Sequence, residues 1–370
     1  PPLLTGDPWT IWVRRSFVFL VTSCPCALVI SIPLSYFAGI GKASANGILF
    51  KGTTYLESLK NADTIAFDKT GTLTQGIFTL AEILPAESVS AEDLLTWAAH
   101  AEADSTHPIA KSILSAYGKD IDRSRLTDLR EIAGQGRRVT FDGKTIYAGN
   151  ERMMRNLGLS VEAPKNVGTL VFVAVENENK PRFAGTLVIG DNLKPDSAKA
   201  LAELRDLGVR RTVLVIGDNL ATASAVASQL GIQNVEANLL PDQKVAVVES
   251  LIEKKDNRTS AVVFVGDGIN DAPVLARADI GIAMGGAGSE AAIEAADIVV
   301  LKDEPSKIAE AIRIARRTDA IVRQNVIFAL GGKAVFLILG ATGLTGMWQA
   351  VFADVGIMLL AVLNAMRVLR

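Results

Sequence analysis

The chain has 370 residues, enough for two or three domains with a substantial core. Its formal charge of −2, with no basic stretch interleaved with aromatics, excludes a nucleic-acid binder built on bulk positive charge. Its two cysteines are too few for a disulfide framework, and the excess within its 49% hydrophobic content falls in three segments.

Residues 1–15 read as an exposed loop with Pro8 and Trp9 at an interface, and the start at Pro1, without Met or signal peptide, reads as that of a fragment. Phe17 to Ile40 follows almost uncharged, long enough to cross a bilayer core, which needs roughly 20 helical residues. Cys24-Pro25-Cys26 lies inside it. Pro25 offers no backbone donor and clashes with the preceding turn, which predicts a break in the helix. Such a break frees carbonyls at membrane depth, tolerated only where protein or a cavity surrounds them. Two thiols flanking it are soft ligands, suited to Zn2+, Cd2+, Pb2+ or Cu+ rather than Na+ or Ca2+.

The apolar segment Thr64-Ile65-Ala66-Phe67 leads into Asp68-Lys69-Thr70-Gly71-Thr72-Leu73-Thr74. This puts a carboxylate at the carboxyl end of a buried strand, where α/β proteins place their chemistry. A carboxylate there can act as a covalent nucleophile towards a phosphoryl group. Strands are predicted at Thr212–Ile216, Ala261–Val265, Ile280–Met284 and Ile298–Leu301, separated by helices at Pro195–Leu207, Asn219–Leu230 and Pro241–Lys254. The alternation predicts a parallel sheet covered on both faces, built from residues 52–77 and 185–304. Residues 78–184 interrupt it with helical pieces at Ala91–His100 and Ile109–Tyr117 and short strands such as Leu170–Val175, and read as an inserted α+β domain. No Gly-x-x-x-x-Gly-Lys loop and no Gly-x-Gly-x-x-Gly fingerprint occurs, so a nucleotide must be held another way, with the insertion as the candidate.

Pro305–Asn325 is a charged helical stretch expected to run as a stalk into Val326–Leu344, a span interrupted only by Lys333. Met347–Met366 is a further span, interrupted only by Asp354. Lys42, Lys51, Arg313, Arg316, Arg317, Arg323, Arg367 and Arg370 flank the spans on one side, and the turn Gly343–Gly346 carries no charge. Despite Arg14 and Arg15, this places the middle of the chain in the cytoplasm. Lys333 lies ten residues before Gly343 and Asp354 eight after Gly346, depths that differ by roughly 3 Å at about 1.5 Å per residue. Cys24 and Cys26, nine and eleven residues past Arg15, fall at the same level. Ionisable groups at such depth are costly and functional. A carboxylate beside thiolates favours a divalent ion of borderline softness, and the ammonium can pair with Asp354 when no metal is bound.

The run from Asp68 resembles the phosphorylation motif of P-type ATPases, ion pumps that form an aspartyl-phosphate. Gly266-Asp267-Gly268-Ile269-Asn270-Asp271 and Pro241-Asp242-Gln243-Lys244 resemble the other motifs of the haloacid-dehalogenase-like parallel-sheet phosphorylation domain, shared with many phosphatases. The resemblance implies that Asp68 is the nucleophile with Lys69 and Thr70 beside it. It further implies that Lys244 stabilises charge on the phosphoryl group, that Asp267 ligates Mg2+ with Asp68 and Thr70, and that Asp218, Asn270 and Asp271 support the site. One departure is Ile216-Gly217-Asp218, where the family has Thr-Gly-Asp; Ile cannot donate the hydroxyl hydrogen bond, so slower or altered phosphoryl chemistry is expected. His107-Pro108 resembles the His-Pro motif in the nucleotide-binding domain of heavy-metal P-type ATPases, with Glu102, Gly134-Gln135-Gly136 and Gly149-Asn150 at family-like positions. ATP is then expected against Glu102, His107, Gly134, Gly136 and Asn150, the glycines letting backbone approach the nucleotide.

Cys24-Pro25-Cys26 resembles the metal-transport motif of those pumps, and Lys333 with Asp354 resembles the zinc/cadmium/lead-exporting branch. The copper branch carries Tyr-Asn and Met-x-x-Ser-Ser in its last two spans, where this chain has Gly331-Gly332-Lys333 and Asp354-Val355-Gly356. The resemblance covers essentially the whole chain. It implies ATP-driven export of Zn2+, Cd2+ or Pb2+ from an integral protein of the plasma (inner) membrane, with cytoplasmic catalytic domains. On this reading residues 1–51 carry the outer loop and first span, and residues 305–370 carry the stalk and last two spans. Three alternatives stand beside it: a Cu+ exporter, a membrane-tethered phosphatase of the same superfamily, and a metal sensor regulated by nucleotide. The phosphatase usually carries a second Asp where this chain has Thr70, and it leaves Cys24, Cys26, Lys333 and Asp354 without purpose. No Thr-Gly-Glu occurs, so hydrolysis of the aspartyl-phosphate is expected from an actuator domain in a missing N-terminal half.

Overall fold

The structure, a computed structural model, describes residues 8–161, 168–177, 180–217, 220–255, 257–285 and 290–370. Its first elements are α1 (Trp9–Thr22), α2 (Cys26–Ala45), β1 (Ile48–Phe50), α3 (Thr53–Leu59) and β2 (Ala62–Phe67). Next come β3 (Thr74–Pro85), α4 (Ala91–Ala101), α5 (Pro108–Tyr117), β4 (Leu126–Ile132), β5 (Gly136–Phe141), β6 (Lys144–Gly149), α6 (Glu151–Asn156), β7 (Thr169–Asn177) and β8 (Lys180–Leu193). These are followed by α7 (Ser197–Asp206), β9 (Arg211–Val215), α8 (Leu220–Leu230), β10 (Asn234–Glu236), α9 (Pro241–Glu253) and β11 (Ala261–Gly266). The chain closes with α10 (Ala272–Arg277), β12 (Ile280–Met284), α11 (Glu290–Ala295), β13 (Ile298–Val300), α12 (Ser306–Thr342) and α13 (Met347–Ala365). Two compact units result: the chain through Asp68 with Ala198–Val215 and Leu240–Arg370, and Lys69–Ser197 with Ile216–Leu239.

The first unit contains strands in the order β1-β13-β12-β11-β2-β9. All neighbours run parallel except β1, which is antiparallel to β13. Parallel pairing requires crossover connections, and strands covered on both faces read as continuous apolar runs. Ala-Val-Val-Phe-Val-Gly of β11 and Ile-Gly-Ile-Ala-Met of β12 are such runs, buried at every position.

Three helical stretches of this unit, Trp9–Ala45, Ser306–Thr342 and Met347–Leu369, are long and apolar enough to cross a membrane. The first is interrupted between Thr22 and Cys26, where Pro25 stands at the N-cap of α2. Residues 9–15 are helical rather than the loop expected from the sequence. Behind Pro8, Trp9-Thr10-Ile11-Trp12-Val13 is an apolar run that helix propagation absorbs without a break. The stalk and second span form one 37-residue helix, α12, ended by Gly343 in the left-handed region at φ 82°. Near its start Arg316 donates to the carbonyls of Lys60 and Leu207, just past the ends of α3 and α7, and Asp319 pairs with Lys60 at 2.5 Å. A cation against helix C-termini meets their partial negative charge. These contacts tie α12 to the elements that flank the sheet.

The second unit holds a six-stranded antiparallel sheet, β3-β8-β7-β6-β5-β4. One face packs on α4 and α5 through Leu94, Ala98, Ile113, Val139, Ile146 and Leu187. Ser90 caps α4 by accepting from the Asp93 amide at 3.0 Å. The sheet begins at Thr74 and ends at Leu193, so β3 and β8 overrun the expected insertion of residues 78–184 at both ends.

Candidate functional site

Parallel pairing of β2 with β11 sets Phe67 beside Val265, and the Asp68 amide donates to the Val265 carbonyl at 2.8 Å. The register brings the residues after the two strands, Asp68 and Asp267, to the same sheet edge. From α9, the Lys244 ammonium reaches Asp68 Oδ1 at 2.6 Å and Asp271 Oδ1 at 3.0 Å. All three side chains are buried. Burial works to lower the Lys244 pKa, yet the carboxylates of Asp68 and Asp271 outweigh it and the net direction is up. Asp68, Asp267 and Asp271 offer carboxylate oxygens within 4.8 Å of one another, hard donors of the kind Mg2+ takes. Gly266 makes the cluster possible, since a Cβ there would stand 2.8 Å from Asp271 Oδ2. Asn270 is exposed on the turn Ile269–Asp271. Asp218 lies outside the described residues. Ile216, in place of the family threonine, is 2% exposed, with its amide donating to the Glu236 carbonyl at 2.9 Å.

In the second unit the loop following Asp68 is held by its own set of bonds. Lys69 is buried, Thr70 exposed. The Lys194 ammonium, 4% exposed, donates to the carbonyls of Gly71 and Thr72, and the Ser197 hydroxyl donates to that of Leu73 at 2.7 Å. The Thr74 hydroxyl donates to Asp191. Sequence reading missed Lys194, Ser197 and Asp191. Only the proximity of Asp191-Asn192-Leu193-Lys194 to a predicted strand end marks them.

Glu102, His107, Gly134, Gly136 and Asn150 all line one cavity of about 550 Å3. His107 caps α5, its Nδ1 accepting from the Ile109 amide at 3.3 Å. Asn150 caps α6 and donates to the Gly134 carbonyl at 2.9 Å, fixing the glycine turn to the helix start. Burial raises the Glu102 carboxyl above its usual range, against the opposing pull of Ser105, Arg137 and His107. The glycines serve the fold first. A Cβ on Gly136 would lie 2.2 Å from the Ala148 carbonyl oxygen, whereas one on Gly134 meets nothing within 4 Å and its φ of 68° is what favours glycine. Arg137, also missed, lines the same cavity with Nη1 buried and without a hydrogen-bond partner among the described residues.

Among the spans, Lys333 Nζ lies 2.6 Å from Asp354 Oδ1 and donates to the Cys24 carbonyl, with the Thr22 carbonyl at 3.4 Å. The ammonium thus bridges α12, α13 and the carbonyls freed at the α1–α2 break. Cys24 and Cys26 depart from expectation. They are joined as a disulfide across Cα atoms 5.5 Å apart, so neither offers a free thiolate in this form. Two cysteines one residue apart at a helix break reach the Cα separation an S–S bond requires.

Residues 62–279 match the model of the haloacid dehalogenase-like hydrolases. That is more than half of the chain, and the chain belongs to this family. Within that class its likeness is to metal-transporting ATPases. It is 54% identical over 371 residues to the cadmium, zinc and cobalt-transporting ATPase of Bacillus subtilis (strain 168), covering 100% of this chain and 52% of that protein. It is 49% identical over 369 residues to the zinc-transporting ATPase of a Synechocystis strain, covering 100% of this chain and 50% of that protein. Among solved structures, a zinc-transporting PIB-type ATPase in its E2.Pi state matches with TM-score 0.86 at 36% identity, over 100% of this chain and 60% of that one. The catalytic domain of the CPx-ATPase CopB-B matches with TM-score 0.58 at 28% identity, over 74% of this chain and 98% of that one. The chain spans about half the length of the curated relatives it matches.

Proposed function

We propose that this chain is the catalytic and ion-binding part of a P-type ATPase that exports Zn2+, Cd2+ or Pb2+ across a membrane, with its catalytic units in the cytoplasm. The observation that carries the reading is the pairing of the buried Lys333 with the half-buried Asp354 against the Cys24 carbonyl, inside apolar helices. A phosphatase anchored by the same spans has no use for an ion pair there. Burying two charges costs several kcal/mol per ion before their attraction offsets it.

In the cycle, ATP is held by the cavity of Glu102, His107, Gly134, Gly136 and Asn150. An Asp68 carboxylate oxygen attacks the γ-phosphorus in line, the bond from phosphorus to the β-γ bridging oxygen breaks, and ADP leaves. Lys244 meets the charge on the transferring oxygens. Asp68 and Asp267, with Thr70, would hold Mg2+, which neutralises phosphate charge when bound. Asp218 and Asn270 are placed by the family motif in supporting roles, with Lys69 beside the nucleophile. At the ion site the metal takes Asp354 and the reduced thiolates of Cys24 and Cys26, and Lys333 compensates Asp354 once the ion has gone. The partner is the actuator-bearing remainder of the pump, and the plasma membrane is the proposed location. ATPase activity of the intact protein measured against Zn2+, Cd2+, Pb2+ and Cu+ tests the reading. Stimulation by the divalent ions is expected, and stimulation by Cu+ alone would move the chain to the copper exporters.

A further inference from the structure

A second charged cluster stands at the other end of the same helices. Lys42 near the end of α2, Glu310, Arg313 and Arg317 near the start of α12, and Val368 in the turn Met366–Leu369 line a small cavity of about 170 Å3. Its charges do not balance. Arg313 pairs with Glu203, and Glu310 is taken by Lys307 at 2.7 Å. Lys42 donates only to the Leu369 carbonyl and Arg317 only to that of Arg367, and neither has a carboxylate partner among the described residues. Arg367 adds a third cation, bonded to the neutral Asn364. Beside the cavity, Leu363, Met366 and Leu369 recur every three residues and are 61%, 52% and 49% exposed. Charges without counter-ions beside an exposed apolar stripe, where spans meet the cytoplasmic side, match an anionic headgroup with its acyl chain alongside.

We propose that Lys42 and Arg317, with Arg367, bind the phosphate of an anionic phospholipid of the cytoplasmic leaflet. This rests on the membrane reading above. The headgroup phosphate accepts from the Lys42 ammonium and the remaining guanidinium donors of Arg317, while the chain lies along Leu363, Met366 and Leu369. Held there, the lipid joins the C-terminal end of α2, whose other end begins at Cys26, to the stalk part of α12. A free phosphate satisfies the same donors but gains nothing from the stripe.

The test uses the intact protein in nanodiscs of phosphatidylcholine doped with spin-labelled phosphatidylglycerol, reading the motionally restricted lipid fraction. Preference for phosphatidylglycerol over spin-labelled phosphatidylcholine is expected to fall by about tenfold or more in Lys42→Gln/Arg317→Gln. It should persist in Lys42→Arg/Arg317→Lys, and in Arg323→Gln, whose arginine is already paired with Asp319. Should the neutral double variant not incorporate, Lys42→Gln alone is read, with a drop of about fivefold expected. Unchanged preference in the neutral variants overturns the site. Displacement of the lipid by inorganic phosphate alone overturns the lipid as its occupant. Failure of the wild-type protein to float with vesicles overturns the membrane reading itself and is seen separately.

Discussion

At the scale of single residues, the proposed chemistry of Asp68 rests on Lys244. Its ammonium lies 2.6 Å from Asp68 Oδ1 and 3.0 Å from Asp271 Oδ1 and sets a positive charge between the two carboxylates. Asp68→Asn is expected to abolish acid-stable labelling of the intact protein from γ-labelled ATP. Lys244→Ala should lower the labelling rate by about a hundredfold, as loss of one charge-stabilising donor does. Glu102 is the pH-sensitive residue. Its carboxyl is raised above 4.5, mainly by burial, so the folded unit keeps the proton to higher pH than the unfolded chain. The stability this contributes is complete below the unfolded value and is lost as pH rises through the folded one. Thermal unfolding followed from pH 4 towards neutrality should therefore fall less steeply in Glu102→Gln than in the wild type (about pH 4 being the ordinary carboxyl range). Equal slopes would remove Glu102 from this role.

At the scale of elements, breaks and joints carry more than the helices themselves. Pro25 was legible as a helix breaker because the loss of a donor is a property of the residue alone. Residues 9–15 were not, because a short apolar run carries no mark that separates a helix start from an interface loop. The joint at Arg316 was equally invisible, since its acceptors, the carbonyls of Lys60 and Leu207, are set by where α3 and α7 end in space. Arg316→Ala leaves two helix-end carbonyls unpaired and is expected to cost about 1–3 kcal/mol, read from the urea midpoint. Gly136 shows a structural need beside the proposed one. It lines the cavity proposed for the nucleotide, and the Ala148 carbonyl oxygen also occupies the space a Cβ needs. Gly136→Ala should unfold the edge of that sheet and weaken nucleotide binding indirectly, with loss of protection at β5 and β6 in hydrogen exchange.

At the scale of the whole molecule, the proposed phosphoryl site and the proposed ion site share one chain, and on that reading the ion site sets which ion is served. Asp354→Ala should abolish Zn2+ and Cd2+ stimulation of the intact protein's ATPase activity. It also strands the Lys333 ammonium, at an expected cost of about 3–5 kcal/mol. Lys333→Met with Asp354→Leu, which removes both charges, should recover the stability but not the stimulation. With Cys24 and Cys26 joined, metal affinity should rise sharply when a reductant is added. Affinity that ignores reductant would exclude the thiolates as ligands.

Legible in the sequence were the residues proposed to carry the chemistry: Asp68, Asp267 and Lys244, the cavity residues Glu102, His107 and Asn150, and Lys333 and Asp354 within apolar helices. Asp68, Lys333 and Asp354 were legible because a carboxylate at a strand end and a charge in an apolar run are local properties, whereas the others were marked by resemblance of their motifs to those of P-type ATPases. Tertiary structure alone decided which groups meet: Lys244 between Asp68 and Asp271, Lys333 on the Cys24 carbonyl, Lys194 beneath the loop after the nucleophile, and the disulfide at the helix break. Except for the disulfide, whose partners are two positions apart, each of these depends on strand register or helix packing between residues far apart in the chain, and no single stretch of sequence encodes that distance.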